Sequence, residues 1–510
     1  MQSVSVGFTA ACSAVGRKPA TALEVSWDGT GDITAARGAA GWTNETAYLA
    51  AHRGDLKLSA PGDELIPPGS TGKCTIELDN TTQRYSWLRA DGPLYADIGG
   101  GGGLVQIPVR VWQGYEVAGA PEYVRVFTGV IEAWSEANDQ GVVVLTARDM
   151  GFRYAQERNS TIVYRNQLTS VWIGILADAA GIDSDERSLD TGIYTIPYAW
   201  LDDESLVDEI WQTAQADGGR AYFDQLGLLR FENAVHWAGH SVAWDFTESD
   251  YEQDDPLYSP DDLATEIIVE WSPRGEGPQM TLYELDRPRS VAPGKTETFE
   301  ARLQYPAMDV IAPYNDTEIT DYQISGPGGQ DLSTNITISL TNIYAQKCNV
   351  AIANTHATLP AYVNFLQLRG WPLVGGPTEQ SRADAPTPAL TFKRTRTVRG
   401  NPYLQTQQQG DALAGFLAYR SQVIRPVWRL RGVPGVPQLE LGDKVRFVDR
   451  RTLGTGVTRE GYVTALRWQS DAGGLWQELA LLDATGMYQY GSDYFIIGTD
   501  QLGAVKRCWW

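Results

Sequence analysis

Cysteine is scarce and dispersed in this chain: Cys12, Cys74, Cys348 and Cys508 are all that 510 residues contain. Such scatter argues against a disulfide framework and against a zinc ribbon. Histidine is as rare, at four residues, which leaves few general bases for catalysis. No run of 18 apolar residues occurs, and residues 1–20 lack a basic start followed by a long apolar core. Neither a membrane span nor an export signal is expected from that pattern. A soluble protein made in a reducing cytoplasm is the expectation.

Aromatic residues and glycine are plentiful. Seventeen Trp and 24 Tyr stand against five Met, beside 52 Gly, a composition suited to a β-rich protein. At 43% hydrophobic residues the chain supports real cores, and its length allows three or four domains. The net charge of −22 is unevenly spread. Residues 183–262 carry 20 acidic and three basic side chains, whereas residues 391–451 carry 12 basic and four acidic ones. Two readings remain open: solvated faces on separate domains, or faces meant for different neighbours.

Four segments and a tail follow along the chain. Residues 1–154 read as short strands with turn residues between them: Leu23–Trp27, Cys74–Leu78, Ile107–Trp112, Val124–Ile131 and Val142–Ala147. That spacing predicts a barrel or sandwich, interrupted by a surface loop at Gly99–Gly103. Residues 155–235 read as α/β, with a helix over Val171–Ala180 stopped at Gly181. Residues 236–390 read as β-rich after an acidic loop at Glu248–Asp262, with strands at Ala264–Trp271 and Ile336–Leu340. Residues 391–486 hold a helix over Gly410–Arg420, with Leu413, Phe416 and Leu417 on one face, and then a β-meander. Residues 487–510 form an apolar tail.

The most informative stretch is Asp202–Glu232. Leu206, Ile210 and Ala214 recur at helical spacing, with Val207 and Trp211 widening the apolar face. Asp202 or Asp203 is the expected N-cap, and Gly218-Gly219 the left-handed stop. A hairpin follows, Ala221–Phe223 and Leu228–Phe231 flanking a turn that ends at Gly227. By itself such a unit is a packing device. In this order along the chain it resembles the inserted domain of phage tail hub proteins. Trp42–Tyr48, then Gly72–Asn80 with Arg84–Ser86, then Phe127–Ile131 within Val126–Trp134, then Leu145–Asp149 are similar to that family's first tube domain. Ala351–Asn354 and Phe365–Leu373 resemble its strand pair leading back to the tube, and Gly410–Arg420 with the Leu441-Gly442-Asp443 turn its second tube domain.

The resemblance implies a mainly β, multi-domain fold with two β-barrel tube domains and an α/β insert. It further implies a homotrimeric ring at the distal end of a virion tail, with two barrels per subunit matching a hexameric tube to a threefold tip. The partners implied are a tail tube or distal tail protein above, a tip fibre or spike below, and DNA in passage. Tube-domain strands, including Val126–Ile131 and Val445–Val448, are the expected interaction surfaces. A receptor- or carbohydrate-binding tail protein is the alternative, since exposed Trp and Tyr stack on sugar rings. A type VI secretion spike is a third option, disfavoured because no long β-helical extension follows.

Sites for chemistry are weak. Gly69–Cys74 is reminiscent of a phosphate loop, but Pro67 replaces its first glycine and Cys74 its Ser/Thr. His236 and His240 are four apart without an intervening glutamate or a nearby cysteine, so a turn is the better reading than zinc. The acidic pairs Asp202-Asp203, Asp254-Asp255 and Asp261-Asp262 fit caps and loops better than hydrolysis, and no Gly-x-Ser-x-Gly elbow occurs. No catalytic residue, cofactor or metal is therefore expected. Lys393, Arg394, Arg396 and Arg399, with Arg420, Arg425, Arg429 and Arg431, form a basic belt. An ionic interface with the acidic segment of a neighbouring subunit would explain both charge clusters, while DNA contact is left to whichever residues line a channel. Tyr494, Phe495, Trp509 and Trp510 mark the tail as a docking segment.

Overall fold

A computed structural model describes residues 1–14, 16–58, 72–86, 89–94, 106–137, 141–258, 263–316, 318–385, 393–423, 425–450, 456–471, 474–484, 494–495 and 507–508. Strands take 49% of the chain and helices 14%, so the fold is mainly β, as expected. Gly99–Gly103 lies outside the described residues.

Thirteen strands form one sheet. Seven come from the first segment: β1 (Pro19–Val25), β2 (Thr43–Asn44), β3 (Leu49–Lys57), β4 (Lys73–Asp79), β5 (Ile107–Val117), β6 (Ala120–Ala137) and β7 (Val142–Asp149). Six come from far along the chain: β8 (Val242–Asp245), β9 (Gln253–Leu257), β10 (Val427–Pro434), β11 (Lys444–Asp449), β12 (Val457–Asp471) and β13 (Gly474–Asp483). The order is β9-β10-β13-β12-β3-β4-β7-β6-β5-β1-β2, with β11 on β12 and β8 parallel to β11. The two sets meet at one ladder, where His52–Lys57 run antiparallel to Ala465–Ser470. The long strand β12 makes this possible. Its first half pairs with β11 and its second half with β3, while β13 flanks it on the other side.

Alternation explains which side chains fill the core. In β7 every second residue is buried, Val143, Leu145, Ala147 and Asp149, as period-two geometry requires. The largest core draws on both strand sets: Leu56, Ile76 and Phe127 pack with Leu466, Trp468, Trp428 and Phe447. The ladder is thus backed by a shared apolar interior.

Two expectations change here. The acidic stretch is not all loop, because Gln253–Leu257 is an edge strand hydrogen-bonded to β10, with Asp255 opposite Arg429. Nor is Val126–Ile131 an outward surface, and in Val445–Val448 only Arg446 and Val448 are partly exposed. Val126, Phe127, Val130, Ile131, Val445 and Phe447 are buried, since β6 and β11 each have a strand on both sides. These side chains form the subunit's interior.

Among the described residues four helices of eight residues or more pack at the sides: α1 (Val6–Ser13), α2 (Thr169–Ala179), α3 (Leu206–Ala216) and α4 (Gln407–Arg420). The helix–hairpin unit is as expected, with Leu206, Val207, Ile210 and Ala214 buried and Trp211 partly so. Gly218 stops α3 at φ +69° and Gly227 turns the hairpin at φ +80°. The cap differs. Asp202–Ser205 is still extended and pairs with Arg158–Ser160, so Ser205 is the N-cap and its hydroxyl accepts from the Asp208 amide. Leu413, Phe416 and Leu417 of α4 join α2 and α3 in a second core. A third core, around Leu282, Val350, Val363 and Leu366, holds the middle segment together. Among the described residues no helix is long and apolar enough to cross a membrane.

Candidate functional site

The exposed face of the sheet at the β3–β12 junction carries a row of charges of alternating sign. Lys73 of β4 stands opposite Asp55 of β3, and Asp55 opposite Arg467 of β12. Arg467 in turn faces Glu478 of β13, to which its Nη1 donates at 3.2 Å. Arg431 of β10 reaches the other oxygen of Glu478 at 3.7 Å. Five strands from both halves of the chain therefore place plus, minus, plus, minus, plus side by side. Period two puts Arg53 and Gln469 on the same face, and Gln469 lies opposite the exposed Trp476. A depression of about 320 Å³ lies there, lined by Glu252, Arg431, Arg467, Trp476 and Glu478 among others. Exposed pairs of this kind add only ~0.2–1 kcal/mol each to stability. Their worth is in matching another charged surface and fixing its register.

The basic belt is spread over several elements that meet near Ala264 and Thr265, whose amides donate to the Ser421 and Arg394 carbonyls. Its first part lies beside the strand Glu266–Trp271, to which Thr395–Val398 pairs in parallel. Lys393 Nζ meets Glu266 at 2.9 Å and Arg399 meets Glu270 at 3.4 Å. The Lys393 contact and the Thr395 hydroxyl, which donates to Glu266 at 2.8 Å, hold the Glu266 carboxyl below its usual range. Arg394 precedes that strand, and Arg396 lies in register with Ile267. The second part lies near β10: Arg425 donates to the Arg420 carbonyl, and Arg429 faces Asp255 across the ladder. Acidic residues of the same chain thus stand beside Lys393, Arg399 and Arg429. In the tail, Tyr494–Phe495 pair in parallel with Arg507–Cys508, while Trp509 and Trp510 lie outside the described residues.

The weaker sites resolve by geometry. Lys73 and Cys74 belong to strand β4, and the Cys74 thiol is buried, which raises its pKa. Gly69–Thr71 lie outside the described residues, and Gly72–Cys74 lead into a strand rather than a helix whose amides could cradle a phosphate. His236–Gly239 is a single 3₁₀ turn. His236 Nδ1 lies 2.7 Å from Asp190, a contact that raises the imidazole's pKa, and His240 Nδ1 lies 3.1 Å from the Gly442 carbonyl. Among the described residues no group of three or more His, Cys, Asp or Glu could hold a metal ion. Asp254 and Asp255 lie in β9, Asp202 and Asp203 in the strand before α3, and Asp261-Asp262 outside the described residues.

Sequence reasoning missed the charge row, apart from Arg431. Alternating exposure in β12 marks Arg467 as outward-facing, but nothing local pairs residue 55 with residue 467.

No family model and no curated protein matches this chain. Solved structures similar to it include the tail protein from Neisseria meningitidis MC58, at 8% identity and a TM-score of 0.47, covering 92% of this chain and 98% of that one. The 43 kDa tail protein of prophage MuSo2 from Shewanella oneidensis is similar at 9% identity and a TM-score of 0.45, covering 92% and 97%. Prophage tail protein gp18 from Listeria monocytogenes EGD-e is similar at 8% identity and 0.39, covering 90% and 94%. These neighbours are phage tail proteins, but at such identities and scores the functional reading rests on the chain's own residues.

Proposed function

We propose that this chain is a structural hub protein of a phage tail tip. Three copies form a ring in which two barrel-forming strand sets per subunit meet a hexameric tube above and a threefold fibre or spike below, with DNA passing through. The observation that carries this reading is the β3–β12 ladder, which welds residues 52–57 to residues 465–470. A subunit that offers two strand sets side by side in one sheet supplies six such sets in a trimer. The ordered resemblance of its tube-domain sequences to tail hubs supports the same reading. The role is mechanical: the charged sheet face and the two parts of the basic belt are contact surfaces, and the apolar tail docks on a neighbour.

Mass-resolved light scattering of the purified chain, followed by negative-stain imaging, tests this. The expected result is a particle of three times the 56.0 kDa chain mass, with a central hole. A chain that stays monomeric both in solution and when mixed with tail tubes, or an elongated particle without a hole, overturns it.

A further inference from the structure

A cleft of about 230 Å³ separates the α/β insert from the middle segment. It is lined by Arg274, whose guanidinium stacks at 4.1 Å on the ring of Trp200. Trp200 itself packs on a small cluster of Val163, Ala345 and Leu373, so the stack is anchored and Arg274 is held in one orientation. Among the described residues Arg274 makes no ion pair, although the charge of Glu209 acts on it from nearby. Gln346 adds an amide beside it. Glu209, Asp202 and Glu204 line the same cleft. Glu209 is fixed, because it accepts from the Tyr403 hydroxyl and from Gln212 Nε2 at 3.2 Å. Donors and acceptors thus line one cleft together, with Tyr198 as an aromatic lining residue.

The chemistry of the cleft narrows the occupant. A guanidinium only donates and a carboxylate only accepts, whereas a hydroxyl does both. Neighbouring hydroxyls on one ring can therefore satisfy both kinds of group together. Three carboxylates against one guanidinium disfavour an anion, and a simple amine would leave Arg274 unpaired. The volume falls below the ~300–1,000 Å³ of drug-sized sites, which suits a single ring. We infer that this cleft is a binding site for one neutral saccharide unit, held by Arg274 and Gln346 together with Glu209, Asp202 and Glu204. The inference is independent of the hub reading, because the cleft shares no residue with the β3–β12 junction and is lined within one chain.

Titration of the full chain, followed by ligand-observed NMR, tests it with methyl glucoside, methyl galactoside and N-acetylglucosamine as probes, against glucuronate and glycine. At least one neutral probe is expected to bind with a millimolar Kd, and Arg274→Gln to weaken it about tenfold or more. Glu204→Gln sits at the exposed rim and is expected to weaken binding without moving the melting temperature, so a folding failure of the Arg274 variant does not decide the matter. The assignment is overturned if no neutral probe binds by about 50 mM. It is equally overturned if glucuronate or glycine binds more tightly, or if Glu204→Gln binds like the parent.

Discussion

Asp55 stands directly opposite Arg467, although 412 positions of sequence separate them. That pairing sits on the single ladder where the two halves of the chain become one sheet, and Gly54 beside it allows the strands to approach. A Cβ at Gly54 would lie 2.5 Å from the Trp468 ring and 3.0 Å from the Lys73 carbonyl.

Gly54→Ala should therefore destabilise the protein by ~1–3 kcal/mol, the usual cost of overpacking a tight core. Urea denaturation measures the loss. Hydrogen exchange should accelerate at both 52–57 and 465–470, on the two sides of the ladder. Loss confined to one side would mean that the halves are held together elsewhere.

The charge row should matter to assembly far more than to folding. Arg467 is exposed and pairs with Glu478 at 3.2 Å, so Arg467→Ala should cost no more than ~1 kcal/mol. If the face is a contact surface, the same variant loses ring formation in light scattering. A variant that melts normally and still assembles would remove this face from the interface.

Glu24 and Arg110 form a buried pair at 2.8 Å. Arg110 also stacks 3.8 Å from the Trp42 ring and donates to the Ala35 carbonyl at 2.6 Å, which clamps that loop to the sheet. Glu24→Gln leaves a buried cation without its counter-charge and should cost ~3–5 kcal/mol. Thermal unfolding tests it; a loss below ~1 kcal/mol would show that the loop carbonyls compensate.

Burial pushes two carboxyls, Asp149 and Asp217, up to about 7. Unfolded, each titrates near 3.8. Their contribution is fully present below that value and lost as pH rises through about 7, since only the native state keeps the proton. His52 works the other way. Burial lowers it from 6.5 to about 4, so its contribution is present above 6.5 and lost as pH falls through about 4. Asp217 Oδ1 accepts from the Thr169 hydroxyl and the Ile193 and Tyr194 amides, while Oδ2 has no hydrogen-bond partner. Asp217→Asn keeps the accepting oxygen and removes the charge. It should match or exceed the parent at pH 8, by on the order of 1–3 kcal/mol, and lose that advantage toward pH 4. A variant less stable than the parent at pH 8 would contradict the assignment of burial as the cause.

Local pattern was enough wherever a segment's partners lie nearby in the chain. The apolar spacing of Leu206, Ile210 and Ala214, the stop at Gly218 and the turn at Gly227 come through intact, because a helix and a hairpin satisfy their own backbone within about 30 residues. The alternation of β7 and of the β12–β13 hairpin is equally legible. The cap at Ser205 was not, since Asp202–Ser205 is held extended by a strand some 45 residues earlier.

What the sequence determined by itself is the β-rich class and the helix–hairpin unit. Tertiary structure decided the rest. It made a strand of Gln253–Leu257, because β10 offers it an unpaired edge. It buried Val126–Ile131, Val445 and Phe447 inside the subunit and set Lys393, Arg399 and Arg429 beside acidic residues of the same chain. It also joined both strand sets through residues 52–57 and 465–470. Cross-strand hydrogen bonds are made by backbone groups common to every residue, so a long-range ladder leaves no local mark on the side chains that form it.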